Sequence, residues 1–167
     1  MRNNINVHKA LDKFGKSVIQ QSRSRLTKAN KNASKGLYDS LGYDLTVSKN
    51  SFSLSFKMED YGKFIDQGIS GVEQKYNTPF AYKSKAPPPQ VFAGWAKSRG
   101  IKPRDKTTGK FITNKAFGFI MSRHIFKQGQ KPTKFFTTSF EQQFKNIPEE
   151  ITKAFALDID KFLDFTT

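Results

Sequence analysis

The chain contains no cysteine, which excludes disulfides, thiolate nucleophiles and zinc–thiolate sites together. Histidine is nearly as scarce: only His8 and His124 occur, and neither has a neighbour at metal-ligand spacing. Long hydrophobic runs are missing too. The longest, Ala116 to Met121, is six residues and includes Gly118, far short of the ~18 that would cross a bilayer. The N-terminus, with Arg2-Asn3-Asn4 and no apolar stretch, carries no secretory signal, so the chain is expected to be used whole and away from membranes. Acidic residues are few, 14 against 29 Lys or Arg, for a net charge of +15.

What is present is a globular composition unusually rich in phenylalanine, with 17 in 167 residues. A chain of this length fits one domain, 1–167, able to bury roughly 70% of its unfolded surface. The positive charge is concentrated. Residues 1–35 carry nine Lys or Arg against Asp12 alone, and residues 83–134 carry thirteen against Asp105 alone. Two such blocks on a nearly neutral frame favour a polyanion: nucleic acid, an acidic protein surface or an anionic membrane.

Leu11, Phe14, Val18, Leu26, Ala29 and Ala33 recur at helical steps between lysines and arginines, predicting a long amphipathic helix over 7–33 with Gly36 as its C-terminal cap. Its basic residues read either as a solvated face or as polyanion contacts. Leu45 and Val47, then Phe52, Leu54, Phe56 and Met58, alternate with polar residues and predict a hairpin turning at Lys49-Asn50. A lone hairpin is marginal in water, so a third strand is expected, with Lys134 to Thr138 the best candidate.

Tyr61 to Gln67 reads as a short helix stopped by Gly68, followed by an irregular segment from Gly68-Ile69-Ser70-Gly71 to Pro87-Pro88-Pro89. Pro89 should open a helix bearing Val91, Phe92, Trp95 and Ala96 that ends near Gly100. The basic stretch Ile101 to Lys110 should be an exposed loop, Asn114 should cap a helix closed by Gly129, and a C-terminal helix should follow Pro148. The expected architecture is α+β: long N- and C-terminal helices on a small antiparallel sheet, with residues 72–129 as a helical insertion.

Enzyme chemistry finds no support. No serine stands in a Gly-x-Ser-x-Gly elbow, Gly68 and Gly71 lack the lysine and spacing of a phosphate loop, and the acids Glu59-Asp60 and Asp158-Asp160-Asp164 sit in polar helical contexts. No cofactor or metal is expected. Basic residues interleaved with aromatics, as in Lys110-Phe111, Lys115-Ala116-Phe117 and Arg123 to Lys127, suit single-stranded nucleic acid. The same phenylalanines equally suit the buried face of a helix.

Three pieces in order are most informative: Ser34-Lys35-Gly36-Leu37-Tyr38-Asp39-Ser40, then Tyr61-Gly62-Lys63-Phe64-Ile65-Asp66-Gln67-Gly68, then Pro132-Thr133-Lys134-Phe135-Phe136. Together with the intervening hairpin they resemble the tail-completion and neck proteins of tailed bacteriophages. Gly36, Leu37 and Ser40 match a Thr-Gly-x-Leu-x-x-Ser segment, with Ser34 in the Thr position and Lys35 as an extra residue. Tyr61, Phe64, Ile65 and Gly68 match a Tyr-x-x-Phe-Ile-x-x-Gly step. Pro132 and Phe135 resemble a late Pro-Phe-x-x-Pro-Ala step, whose second proline and alanine are here Thr138 and Ser139. Pro87-Pro88, Trp95, Gly100-Ile101 and Ala116 to Ile125 are similar to an insertion in related tail-morphogenesis proteins.

The resemblance implies a structural virion subunit assembling as a homo-oligomeric ring, sixfold or twelvefold, between portal or connector and tail proteins. DNA would pass through it, with non-specific contacts in the channel. On that expectation Lys102, Arg104, Lys106 and Lys110 are candidates to face DNA or a partner, and Phe92 and Trp95 to anchor an interface. The alternative is a free-standing basic nucleic-acid-binding protein.

Overall fold

A computed structural model describes residues 5–31, 35–48 and 51–164, with side chains described as far as residue 158. The chain divides into two compact units, one made of residues 1–62 with 134–167 and the other of residues 63–133. The second is inserted into the first, and the expected insertion 72–129 lies within it.

The first unit is organised by helix α1 (Ile5–Lys28). Its apolar stripe buries Val7, Leu11, Phe14, Val18 and Leu26, while Lys9, Lys13 and Lys16 stay exposed. The helix stops earlier than its periodicity predicts. Asn30 takes a left-handed conformation (φ 52°), its N–H bonds Thr27 O at 3.0 Å, and Lys31 N–H bonds Leu26 O at 3.0 Å. That pair of bonds is a Schellman cap, with asparagine in the place glycine usually takes. Gly36, expected to be this cap, instead begins a short helix α2 (Gly36–Ser40). Ala33 and the Lys49-Asn50 turn lie outside the described residues.

Strands β1 (Gly42–Val47) and β2 (Phe52–Lys57) pair antiparallel, with Tyr43 opposite Phe56, Leu45 opposite Leu54 and Val47 opposite Phe52. Their apolar side faces α1, as the alternation predicts. No third strand joins them among the described residues. The expected strand at Lys134 to Thr138 is instead a turn at Lys134 (φ 50°) leading into helix α6 (Thr137–Phe144). Phe136, Phe140 and Phe144 recur every fourth residue, which is the helical period rather than the strand period.

These rings do what a further strand would have done. Phe56 is enclosed by Phe14, Phe136 and Phe140 at centroid distances of 6.1, 5.3 and 5.9 Å. All three contacts are edge-to-face, the geometry in which aromatic quadrupoles attract. Helix α7 (Ile147–Asp164) completes the unit, with Pro148, Glu149 and Glu150 in its first turn as expected. Ala154 and Ile151 pack with Val7, Leu11, Leu45 and Val47, so both terminal helices and the hairpin share one core.

The second unit opens with helix α3 (Gly62–Gln67), stopped by Gly68 in a left-handed conformation (φ 76°). The segment after it, expected to be irregular, starts as strand β3 (Ile69–Ser70). It then runs irregularly to helix α4 (Pro89–Ser98), which Pro89 opens as predicted. Helix α5 (Asn114–Gln128) follows, capped not by Asn114 but by Thr113, whose hydroxyl accepts from Ala116 N–H at 3.2 Å. Gly129 closes α5 as predicted and begins strand β4 (Gly129–Gln130), which pairs antiparallel with β3.

Helices α4 and α5 approach closely because Gly118 has no side chain: a Cβ there would run into the Pro89 carbonyl. Ser122 fixes the crossing by donating to Pro87 O at 2.5 Å, and Ala96 is fully buried.

Candidate functional site

The motif residues hold the fold rather than form a reactive site. In the first unit Leu37 is buried, and Ser40 Oγ donates to Leu37 O at 3.0 Å while accepting from Glu59 N–H at 3.1 Å, tying α2 to the end of the hairpin. Phe135 is completely buried there too.

In the second unit, the early Tyr61 to Gly68 step and the late Pro132 step are brought side by side. Thr133 donates to Ile65 O through both its N–H (3.2 Å) and its hydroxyl (2.7 Å). A Cβ on Gly68 would lie 2.6 Å from Gln130 O and from Pro132 N, so this glycine is needed for its φ and for the close approach of the strands. Phe64 stacks edge-on against Phe80 at 4.6 Å, while Tyr61, in the first unit, is exposed. The segments entering and leaving the inserted unit are therefore zipped together at its base.

The basic loop is a formed hairpin turn. Arg104 bridges Phe111, Asp105 N–H bonds Lys110 O at 2.8 Å, and Ile112 N–H bonds Pro103 O at 3.0 Å. Asp105 Oδ1 accepts from Thr107 N–H (2.9 Å), Thr108 N–H (2.7 Å) and the Thr108 hydroxyl (3.0 Å). Those bonds, the Thr108 pair foremost, hold the Asp105 carboxyl below its ordinary pKa. Of the four candidate cations, Lys102, Lys106 and Lys110 are exposed. Arg104 is committed internally: its guanidinium lies 3.9 Å from the Phe111 ring centre and donates to Gly109 O at 3.2 Å.

The two candidate anchors differ. Phe92 is half-buried, whereas Trp95 is exposed and stacks on Phe117, centroids 6.5 Å apart and planes 17° from parallel. Val91 lies one turn before Trp95 on α4, and Ile120 one turn after Phe117 on α5; both are exposed. The four make an apolar strip along the helical hairpin. Periodicity missed it, because each helix alone looks like an ordinary amphipathic helix whose apolar face is buried.

The first unit has one open groove of about 830 Å³, lined among others by Lys16, Ile19, Arg23, Tyr38, Leu41 and Tyr43. Arg23 forms its wall rather than a free site, since Nε donates to Tyr38 O and Nη2 to Leu41 O, both at 3.0 Å, and its guanidinium covers the Tyr38 ring. The Tyr43 hydroxyl donates to Asp12 Oδ1 at 2.6 Å, and Lys16 pairs with Asp12 Oδ2 at 2.7 Å. Hydrogen bonds from Lys16 and then Tyr43 hold the Asp12 carboxyl below its usual range, whereas burial, then the Asp12 bond, pushes Tyr43 up to about 12. This is a fold-fixing network at the α1–β1 contact.

Among the described residues no cluster of His, Asp or Glu could hold a metal ion. No described helix is long and apolar enough to cross a membrane. No protein-family model matches the chain, and neither the curated proteins nor the solved structures contain a match.

Proposed function

We propose that this protein is a structural virion subunit of a tailed bacteriophage. On this reading it is a tail-completion or neck component that forms a sixfold or twelvefold ring at the head–tail junction, around the DNA channel. It assembles in the host cytoplasm, contacts portal or connector and tail proteins, and performs no catalysis. The observation that carries the reading is the clamp at the base of the inserted unit. Ile65 and Thr133 are 68 residues apart in sequence, yet these early and late pieces of the resemblance bond directly. That contact gives them a shared physical purpose and supports reading them as one module rather than as chance matches.

The charge distribution supports the same reading. The inserted unit carries fourteen Lys or Arg against Asp66, Glu73 and Asp105. A ring threaded by DNA benefits from such a field without needing base-specific contacts. The capping of Phe111 by Arg104 counts against the free-standing nucleic-acid binder, because that ring face is not open to a base.

The deciding experiment is the copy number of this chain in purified phage particles, by quantitative mass spectrometry against the major capsid protein. Six or twelve copies per particle are expected. Absence from particles would overturn the proposal and favour the nucleic-acid binder.

A further inference from the structure

The apolar strip on the inserted unit is too exposed to be a finished surface. Val91 is 63% exposed, Trp95 41% and Ile120 55%, and Phe117 joins them through its stack on Trp95. Arg99 follows Trp95 by four residues and Arg123 follows Ile120 by three, so both cations rim the strip. Neither has a carboxylate partner among the described residues. An apolar centre with unpaired cations at its rim calls for an occupant that is apolar and acidic.

A nucleic acid fits less well. Val91 and Ile120 offer no ring to a base, and one face of Trp95 is already taken by Phe117. Face-to-face pairing of two such strips would bring together two units each carrying eleven excess positive charges, which electrostatics opposes.

The chain itself holds the complementary surface. Residues 134–167 contain six acids against four lysines, the opposite sign from the inserted unit. Helix α7 leaves Phe155 48% and Leu157 54% exposed, with Glu149 and Glu150 a turn or two earlier. The ion pairs those glutamates make, Glu149 with Lys153 at 2.7 Å and Glu150 with Lys13 at 3.5 Å, are exposed and contribute little, so they are free to exchange partners.

We propose that the Val91–Trp95–Phe117–Ile120 strip of one copy receives the acidic, apolar-studded helix α7 of a second copy, in a head-to-tail contact. The inference rests on the ring reading and deepens it. Because the two halves differ, the contact is heterologous, the type from which rings are built.

The test uses two full-length variants, each with one half broken at exposed positions: Val91→Asp/Ile120→Asp and Phe155→Asp/Leu157→Asp. Circular dichroism first establishes that both keep the wild-type fold. Native mass spectrometry should then show wild-type protein as closed oligomers and each variant alone as a monomer. Mixing the two should give 1:1 dimers and nothing larger, since only one intact strip and one intact α7 remain to meet. Trp95 is the only tryptophan, so its emission should shift to the blue in wild-type oligomers and in the mixed dimer, but in neither variant alone.

Oligomers from either folded variant would put the ring contact elsewhere, overturning this inference while leaving the ring reading intact. Monomeric variants that fail to dimerise on mixing would also overturn it, since the two surfaces then do not meet each other. Wild-type protein that stays monomeric with a red-shifted Trp95 would overturn it as well. The strip would then face a different acidic protein, and the virion copy number would judge the ring reading separately.

Discussion

Helix α1 begins with no acidic residue in its first turn, so its leading N–H groups must find an acceptor elsewhere. They find it 152 residues away. Asp158 on α7 accepts from Asn6 N–H on both carboxylate oxygens at 3.1 Å, from Val7 N–H at 3.1 Å and from Asn6 Nδ2 at 2.8 Å. The carboxylate is thus an N-cap supplied from another helix, and it also opposes the positive end of the α1 dipole. Losing a capping side chain costs about 1 kcal/mol, and hydrogen bonds to a charged group about 1.5–3 kcal/mol, so Asp158→Ala should cost about 2 kcal/mol. For a chain of this size that lowers the melting temperature by roughly 4–8 °C. Asp158→Asn keeps one acceptor and should cost about half as much. Glu149→Gln, which breaks only an exposed pair with Lys153, serves as the control and should change stability by less than ~0.5 kcal/mol. Urea denaturation followed by circular dichroism measures all three. If Asp158→Ala unfolds with the same midpoint as Glu149→Gln, the inter-helix cap does not hold α1 in solution and the reasoning fails.

Ser22 is fully buried on α1, and its hydroxyl has no hydrogen-bond partner among the described residues, so Ser22→Ala should raise stability by up to about 1 kcal/mol; a loss in urea denaturation would reveal an unseen partner. In the basic loop, Lys102→Ser/Lys106→Ser/Lys110→Ser removes three exposed charges and should leave the melting curve unchanged while impairing particle completion, measured as infectious titre. Arg104→Ser should instead loosen the loop, read as faster amide exchange at Lys110 and Ile112; unchanged exchange would refute the structural role of the Arg104–Phe111 stack. The raised pKa of Tyr43 means that the folded chain keeps a proton which the unfolded chain releases near pH 10, so stability should fall as pH rises from about 10 towards 12. Tyr43→Phe should flatten that fall in melting experiments across the alkaline range, and an identical slope would exclude Tyr43 as its cause. At the acid end, the lowered pKa of Asp12 works the other way, contributing stability above the ordinary carboxyl pKa that is lost as pH falls.

Where a residue's role is set by local period, the sequence was readable. Phe52, Leu54 and Phe56 alternate and form a strand, Pro89 opens α4, and Pro148 stands in the first turn of α7. The failures share one cause, which is that a distant contact decided between two local options. Phe135-Phe136-Thr137-Thr138 has strand-like residues, but Phe140 and Phe144 complete a helical row whose rings fill the space beside Phe56. Gly36 looked like a cap because glycine is the usual left-handed residue, yet Asn30 had already ended α1 through its bonds to Thr27 and Leu26. The candidate site was legible only in its parts. Trp95 was singled out as an aromatic on a short helix, but the strip exists only because Gly118 lets α5 approach α4 and sets Phe117 beside it.

Asp158 and the basic loop together show why charge counts alone mislead about partners. Asp158 looked like part of a solvated acidic face, yet it is consumed in capping α1 and cannot serve an interface without releasing that helix. Arg104 looked like one of four equivalent cations and is spent on Phe111 and Gly109. Both assignments come from the fold's own need to satisfy backbone groups and ring faces, which is met before any partner arrives. The charges left over are therefore the informative ones. In the inserted unit they include Lys102, Lys106 and Lys110 on the loop and Arg99 and Arg123 beside the Trp95 strip. The first set has no apolar strip at its centre and suits the diffuse field of a phosphate backbone, whereas the second surrounds apolar side chains and suits a protein. Raised salt should accordingly weaken DNA retention by the wild-type protein much more than it weakens its oligomers, because apolar burial is not screened and counterion release is. Equal salt sensitivity of the two would mean that the strip contributes charge alone.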